Sequence, residues 1–598
     1  MHFTLATSKI TDVLSRLAQS NADSDLELSS DDEYQPVRQD SQSQDSPNDS
    51  SETDDSNDSD DSSPDDTQIR RKLWKKVDCF TPNITDFVEE DESDQLSHQS
   101  DDSDAHPRES WSSLDYMSQY LDRDIFEQLS VCTNQNSVLL TGRSLNTSAE
   151  ELQRFIGATI HMSCLGYPVL SMYWAKSTRV PAVADTISRQ RYFKIRSHLK
   201  IVIDADVSDD EKKKDHLWKV RPMLERVRQG CLKQVRSRDV SIDEQMVPFS
   251  GACPYRQYVP MKPNPVGLKN YVLATPSGLV LDFVVYQGVN SFADVPEGVR
   301  IGAAGLPIAH LAATLRPGTM LYCDRYFTSI PLIEYMLQKE IYITGTIIKN
   351  RVPKDAAKLS DDKVLKLKGR GSSDMIVKSD PAISIVKWFD NKPIVIASSV
   401  HGIEPQQLCR RWSKKDRAYV EIQRPAIITE YNQKMGGVDL TDRMLSFYRV
   451  KTRTRKWTVR TLMHFTDLAL VNGWLQYRQD SRNRGVPAKD VKNFLQFRLD
   501  IASAYLVTKE DSNDEEDNDD DEDAPRPAAK RQRTVPIPST HARYSGSKHL
   551  PFMEVVKYAM RCRMDGCKGK TKVKCVECGL FLCVTTERNC FYDFHTDD

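Results

Sequence analysis

Three short segments, far apart in the chain, place aspartates where an apolar run stops. They are V-S-I-D-E-Q around Asp243, M-L-Y-C-D-R-Y-F-T-S around Asp324, and K-M-G-G-V-D-L-T-D, where Asp439 and Asp442 stand three residues apart. Carboxylates gathered from distant sequence are the ligands a hard divalent cation takes, and a pair of such cations drives in-line displacement at phosphorus. A lone Asp at a strand end is as a rule a turn former or helix cap. Three such sites in one chain, the last with two carboxylates on one helix face, carry the chemical reading instead. A second constellation is Cys562-x4-Cys567-x7-Cys575-x2-Cys578-x4-Cys583-x6-Cys590-x4-His595. Thiolates and imidazole at such spacings suit one or two tetrahedral Zn²⁺. Six of the 13 cysteines crowd into residues 562–590, which reads as metal ligation in a reducing compartment and not as a disulfide framework.

The aspartates need elements to bring them together, and the period of the apolar residues supplies candidates. D-V-S-I-D reads as a strand, and N-Y-V-L-A-T-P-S-G-L-V-L-D-F-V-V-Y as a hairpin turning at Pro276-Ser277-Gly278. T-M-L-Y-C-D is a short buried strand. Ile330 to Lys339 is a helix capped by Thr328 or Ser329 with Pro331 in its first turn, and I-Y-I-T-G-T-I-I is a further strand. Residues 351–427 read as an irregular β-rich insertion and 436–480 as helix. Upstream, residues 112–240 are mostly helical, with Ser148 and Glu151 forming a capping box. This is the element order of an RNase H-like catalytic core within a multidomain α/β chain. The expected layout is a disordered acidic tail over 1–108, a helical domain over 109–240, and a core in two parts (241–350 and 428–480) around the insertion 351–427. A linker over 481–552 and a cysteine-rich zinc finger over 553–598 follow.

The net charge of −4 conceals a sharp division. Residues 23–66 carry 17 acids against the single base Arg38, and residues 510–523 carry 11 acids and no base. Without those two runs the remaining 540 residues hold a net charge of +23. A basic body with acidic, Ser/Asp-rich flanks points to a polyanionic partner, and the flanks lack the apolar surface to fold. The acidic tail should compete with nucleic acid for that body. Residues 3–19 have Ile10, Val13, Leu14 and Leu17 on one stripe, a transient helix on the tail. No apolar run approaches the ~18–20 residues of a membrane span, and M-H-F-T-L-A-T-S-K-I lacks the order of a signal peptide.

Basic and aromatic residues fringe each aspartate: Arg256, Tyr258, Lys262 and Lys269 after the first, Arg325 and Tyr326 after the second. Arg443, Arg449, Lys451, Arg453, Arg455 and Lys456 follow the third. Such side chains hold phosphates and stack on splayed bases; Trp457 reads as core packing. Lys530, Arg531 and Arg533, in a proline-rich linker, fit a nuclear-localisation peptide.

The wording of three segments resembles the signatures of piggyBac-type transposases. These are I-D-E-Q-M-V-P-F-S-G-A-C-P-Y-R-Q-Y-V-P-M-K-P, C-D-R-Y-F-T-S-I-P-L and Y-N-Q-K-M-G-G-V-D-L-T-D-R-M. The resemblance covers about residues 110–480 and the cysteine cluster. It implies that Asp243, Asp324 and Asp439 are a catalytic triad binding two Mg²⁺, with Asp442 an added acidic position. It further implies a nuclear, homodimeric DNA transposase whose helical domain 109–240 serves dimerisation and DNA binding, which nicks and joins DNA at TTAA targets and recognises terminal inverted repeats through its zinc domain. A cross-brace would place Cys575, Cys578, Cys590 and His595 on one ion and Cys562, Cys567 and Cys583 on another, with Thr586 where some family members carry His. The alternative is a catalytically silent, domesticated DNA- or chromatin-binding regulator.

Overall fold

The computed structural model describes residues 74–87, 108–260, 262–296, 298–353, 359–450, 454–507, 549–556 and 558–596. The helix expected over 3–19, the acidic runs, Lys451, Arg453 and the basic cluster Lys530, Arg531 and Arg533 lie outside them.

The strands are β1 (Trp74–Lys76), β2 (Asp239–Pro248), β3 (Gln257–Tyr258), β4 (Val266–Ala274), β5 (Val280–Val285), β6 (Met320–Cys323), β7 (Tyr342–Thr346), β8 (Ser373–Ser379), β9 (Ala382–Phe389) and β10 (Pro393–Ser398). They form one sheet in the order β1-β8-β9-β10-β7-β6-β2-β4-β3, with β5 also on β4. β6 runs parallel to β2 and β7, whereas all other pairings are antiparallel. The β4–β5 hairpin turns through Gly278, whose φ of 88° only glycine adopts readily.

Twelve helices matter for the site: α1 (Ser113–Ser118), α2 (Arg123–Thr141), α3 (Ala149–Leu165), α4 (Arg189–His198), α5 (Arg221–Leu232), α6 (Leu306–Leu311), α7 (Ile330–Leu337), α8 (Ala426–Lys434), α9 (Gly437–Phe447), α10 (Trp457–Asn483), α11 (Phe494–Leu506) and α12 (Cys590–His595). Period-two alternation divides β4 between the two faces of the sheet. Val272 and Ala274 join the core shared with α1–α5 and α9–α11, while Tyr271 and Leu273 join that under α6 and α7.

α10 is buried over most of its length, and its polar residues explain why it can be. Asn472 donates to Val280 O (2.9 Å) and accepts from Val280 N (3.0 Å), closing the edge of β5. Asp467 pairs with Arg498 of α11 at 2.9 Å, both almost solvent-free, and accepts from Val450 N at 2.9 Å. Gln119 donates to Gln476 at 2.7 Å. Each buried polar group thus ties α10 to a different element. Trp457 packs against this core, as its sequence context suggests.

Three expectations change. Residues 74–87 depart from the tail: β1 pairs with β8, Trp74 is buried, and Lys76 reaches Asp374 at 2.6 Å. Thr85 N then donates to Tyr342 Oη at 2.7 Å. Composition hid this, because three paired residues and one tryptophan weigh little in an acidic stretch. Second, 351–427 is not wholly an insertion. β8–β10 prolong the central sheet through β7, while the hairpin β11 (Gln407–Ser413) and β12 (Ala418–Arg424) forms its own two-stranded sheet. Third, the linker expected from 481 contains α11, which lies so close to α3 that a Cβ on Gly157 would stand 2.8 Å from Tyr505 Cβ.

Beyond residue 549, β13 (Pro551–Met553) pairs with β16 (Val573–Cys575) and β14 (Met560–Arg561) with β15 (Lys570–Thr571), around a core of cysteines, Leu580, Leu582, Phe591 and Phe594. Among the described residues no helix is long and apolar enough to cross a membrane.

Candidate active site and metal-holding groups

The parallel register of β2 and β6 runs from Asp239 with Met320 to Ile242 with Cys323. The next position along each strand is Asp243 and Asp324, so two segments 81 residues apart deliver carboxylates side by side. Asp324 makes a turn, its Oδ1 accepting from Tyr326 N at 2.8 Å. Arg351 braces that turn, donating to Tyr326 O at 2.6 Å and Thr328 O at 3.1 Å. Asp439 sits exposed in the first turn of α9, where the helix dipole favours a carboxylate, and Asp442 lies one turn on. Gly437 lets α9 reach the sheet: a Cβ there would stand 2.2 Å from Thr275 O and 2.8 Å from Ser241 Oγ. Thr441, fully buried, fastens the contact by donating to Gly278 O at 2.6 Å.

Lys262 is the cation among these groups. Its Nζ donates to Glu244 O at 3.0 Å and lies 3.5 Å from Glu244 Oε1 and 3.9 Å from Asp243 Oδ2. Burial works against its charge, yet Asp243, Glu244, Asp439 and Asp442 outweigh that and raise its pKa. Burial pushes the Asp243 carboxyl up to about 8, with Lys262 pulling down and the Glu244 charge pushing further up. Burial raises Asp324 too, and brings Asp442 to about 6 against a 2.7 Å hydrogen bond from Gln245 Nε2. Gln245 Oε1 in turn faces His464 Nε2 at 3.1 Å and Asn270 Nδ2 at 3.3 Å. Burial holds His464 down to about 3, a neutral imidazole at ordinary pH. Glu244, Gln245, Arg351 and His464 were not singled out by sequence; only Glu244 and Gln245 had a signal, being next to Asp243.

The oxygens of Asp243, Asp324 and Asp439 do not gather within one 4.8 Å circle. Two cations 3.5–4 Å apart, each with bonds of 2.0–2.1 Å, spread their ligands over about 8 Å, so this spacing does not disqualify the set. Its donors are all hard oxygens, and Glu244 Oε2 is buried without a hydrogen-bond partner.

The basic fringe divides. Lys269 is held between the rings of Tyr271 and Tyr326, at 4.7 and 4.8 Å, and burial lowers its pKa. Arg325 and Arg455 are exposed. Arg256 braces its own loop, donating to Ser250 O and Gly251 O, both at 3.0 Å. Lys456 donates to Ser197 O, tying the start of α10 to α4.

In the C-terminal module two groups have all their ligand atoms within 4.8 Å of one another: Cys562, Cys567, Cys583 and Cys590, and His549, Cys575, Cys578 and His595. This corrects the expected partition. Cys590 completes the first group, and His549, assigned to the linker, replaces it in the second. His549 Nδ1 lies 3.2 Å from Cys578 Sγ and 3.5 Å from Cys575 Sγ. The β13–β16 register, Pro551 opposite Cys575, carries it there, a strand pairing that ligand spacing does not encode. His595 Nδ1 faces Phe591 O at 2.7 Å, turning Nε2 toward Cys578 Sγ at 3.4 Å. Burial pushes Cys583 up to about 11 and Cys590 to about 12, while the hydrogen bond from Gly569 N and the neighbouring thiols bring Cys567 down to about 7; a bound cation would take up the charge of all four as thiolates.

Among solved structures, the fold matches a piggyBac transposase in a synaptic complex with hairpin DNA, determined by cryo-electron microscopy. The TM-score is 0.56 at 21% identity, over 67% of this chain and 81% of the other. The shared fold is thus that of a transposase. A family model described as Transposase IS4 matches residues 112–474. The human PiggyBac transposable element-derived protein 3 is 28% identical over 486 residues, 80% of this chain and 75% of its own length. The human PiggyBac transposable element-derived protein 2 is 28% identical over 378 residues, 62% of each. The chain belongs to the Transposase IS4 family, as a member of its piggyBac type.

Proposed function

We propose that this protein is a DNA transposase, or a domesticated derivative of one, that cleaves and joins DNA strands at TTAA targets in a metal-dependent reaction. The observation that carries the reading is the placement of Asp243, midway along β2, beside the end of β6 where Asp324 follows, with Asp439 and Asp442 brought to them by α9. The strand order β5-β4-β2-β6-β7, antiparallel then parallel, supports an RNase H-like core. Asp243, Asp324 and Asp439 are the ligands for two Mg²⁺, with Asp442 beside them. Bound there, the ions would activate the attacking water or 3′-hydroxyl and stabilise the leaving 3′-oxygen. The protein's part is to bring these carboxylates together, with Lys262 offsetting part of their charge. Lys269, Arg325, Arg455 and Arg453 offer cations to the phosphates of double-stranded DNA, as do the exposed Arg256 and Lys456, which also bond to the protein's own backbone. The two Cys/His groups suit one Zn²⁺ each, and the module they form contacts terminal inverted repeats. A homodimer acting in the nucleus, addressed by Lys530, Arg531 and Arg533, completes the reading.

The test is cleavage of a TTAA-flanked donor with Mg²⁺. Wild-type protein is expected to cut, and Asp324→Asn to bind DNA without cutting. Binding without cleavage by the wild type would sink the enzymatic reading. It would favour the silent DNA- or chromatin-binding regulator.

A further inference from the structure

Asp442 is held by a buried chain of side chains that no part of the catalytic reading uses. Gln245, on β2, is fully buried and donates to Asp442 Oδ1 at 2.7 Å. An ionised carboxylate only accepts, so the amide nitrogen must face Asp442 and Oε1 must turn away. Two donors meet that oxygen. Asn270 is the cross-strand partner of Gln245 on β4 and reaches it at 3.3 Å. His464 arrives from α10, 219 residues away in sequence, at 3.1 Å. Because Oε1 cannot donate, Nε2 of His464 carries the hydrogen. Asn270, also fully buried, serves Gln245 at the expense of its own Oδ1, which has no hydrogen-bond partner. Leaving a buried acceptor unpaired destabilises a fold. A core interested only in stability would fill this space with apolar side chains.

We propose that Gln245, Asn270 and His464 are positioning residues that aim Asp442 and thereby set the affinity of the carboxylate site for a divalent cation. The inference rests on the metal-site reading above. With His464 and Asn270 in place, the Gln245 amide has one orientation, and Asp442 Oδ1 is pinned. Without them the amide can rotate and present Oε1 to a carboxylate that repels it. Asp442 then swings, and the site loses a fixed negative charge. α10, the spine of the helical domain, is in this way wired into the carboxylate cluster.

The experiment uses Mn²⁺ as probe and reads its binding to the full-length protein by electron paramagnetic resonance, counted above the level left in Asp243→Asn. Circular dichroism checks that each variant folds. Gln245→Met and His464→Leu are expected to weaken Mn²⁺ binding by roughly 10–100-fold, the usual effect of disturbing the outer shell of a metal site. His464→Gln, which restores an N–H donor, should recover most of the loss. A merely structural role predicts lower thermal stability with Mn²⁺ affinity unchanged, and that result in folded Gln245→Met overturns the proposal. Should His464→Leu fail to fold, Gln245→Met and the rescue by His464→Gln still decide. If the wild type binds no more Mn²⁺ than Asp243→Asn, the metal-site reading itself fails, and this inference with it.

Discussion

Gly437→Ala isolates the contact that brings α9 to the sheet. The added Cβ would lie 2.2 Å from Thr275 O, and contacts under 3.0 Å are essentially never found, so the start of α9 must withdraw by at least about 0.8 Å. The carbonyl cannot give way, because it accepts from Gly278 N at 2.9 Å in the β4–β5 turn. Thr441, one turn on, would lose its 2.6 Å bond to Gly278 O. Overpacking costs about 1–3 kcal/mol and the hydrogen bond about 1, against up to about 1 regained from alanine's helix propensity. The expected net loss is about 1–3 kcal/mol in urea denaturation. Asp439 and Asp442 move with the helix, and a displacement near 1 Å is worth on the order of 10²-fold in strand cleavage. Gly436→Ala is the control, since a Cβ there meets nothing within 4 Å. If Gly437→Ala matches Gly436→Ala in both stability and cleavage, the close approach does not position the carboxylates.

Further expectations concern the metals and the buried charges. Metal analysis of His549→Ala and Cys590→Ala should find one Zn²⁺ per chain in each, against two in wild type; unchanged zinc in His549→Ala would refute the second group. Asp243 and Asp442 have carboxyls raised from 3.8 to about 8 and about 6, so the fold binds protons that the unfolded chain releases. Without a divalent cation, their contribution to stability therefore falls as pH rises from about 4 through 8. Added Mg²⁺ needs the ionised forms and should raise the melting temperature more at pH 8.5 than at pH 6; an equal rise at both would contradict this. Arg498→Met leaves Asp467 charged and buried and should cost about 3–5 kcal/mol, and a chemical-denaturation midpoint near wild type would count against it.

Local pattern made much of the site legible. The strand ending before Asp324 and the hairpin at Gly278 stand as read, and the helix from Ile330 takes Ser329 of its two candidate caps and ends at Leu337, because each is specified by residues within ten positions. What escaped depends on partners far along the chain. His549 becomes part of a metal-holding group only once β13 lies on β16, and Gln245 meets His464 only after α10 packs beneath β2. β8–β10 read as an insertion because nothing in their own sequence says that β10 will pair with β7.

The short strand β1 also bears on how the chain can be cut. Without it, β8 would present a free edge whose unpaired amides and carbonyls invite another chain to add on. A truncation placed after residue 108, where the acidic composition gives way, removes that cover together with the acidic flank. Its product would be prone to edge-to-edge aggregation, and any change in DNA affinity would be confounded with self-association. A cut before Trp74 removes the acidic run of residues 23–66 and keeps the guard strand, so the boundary for measuring that run's electrostatic influence lies there.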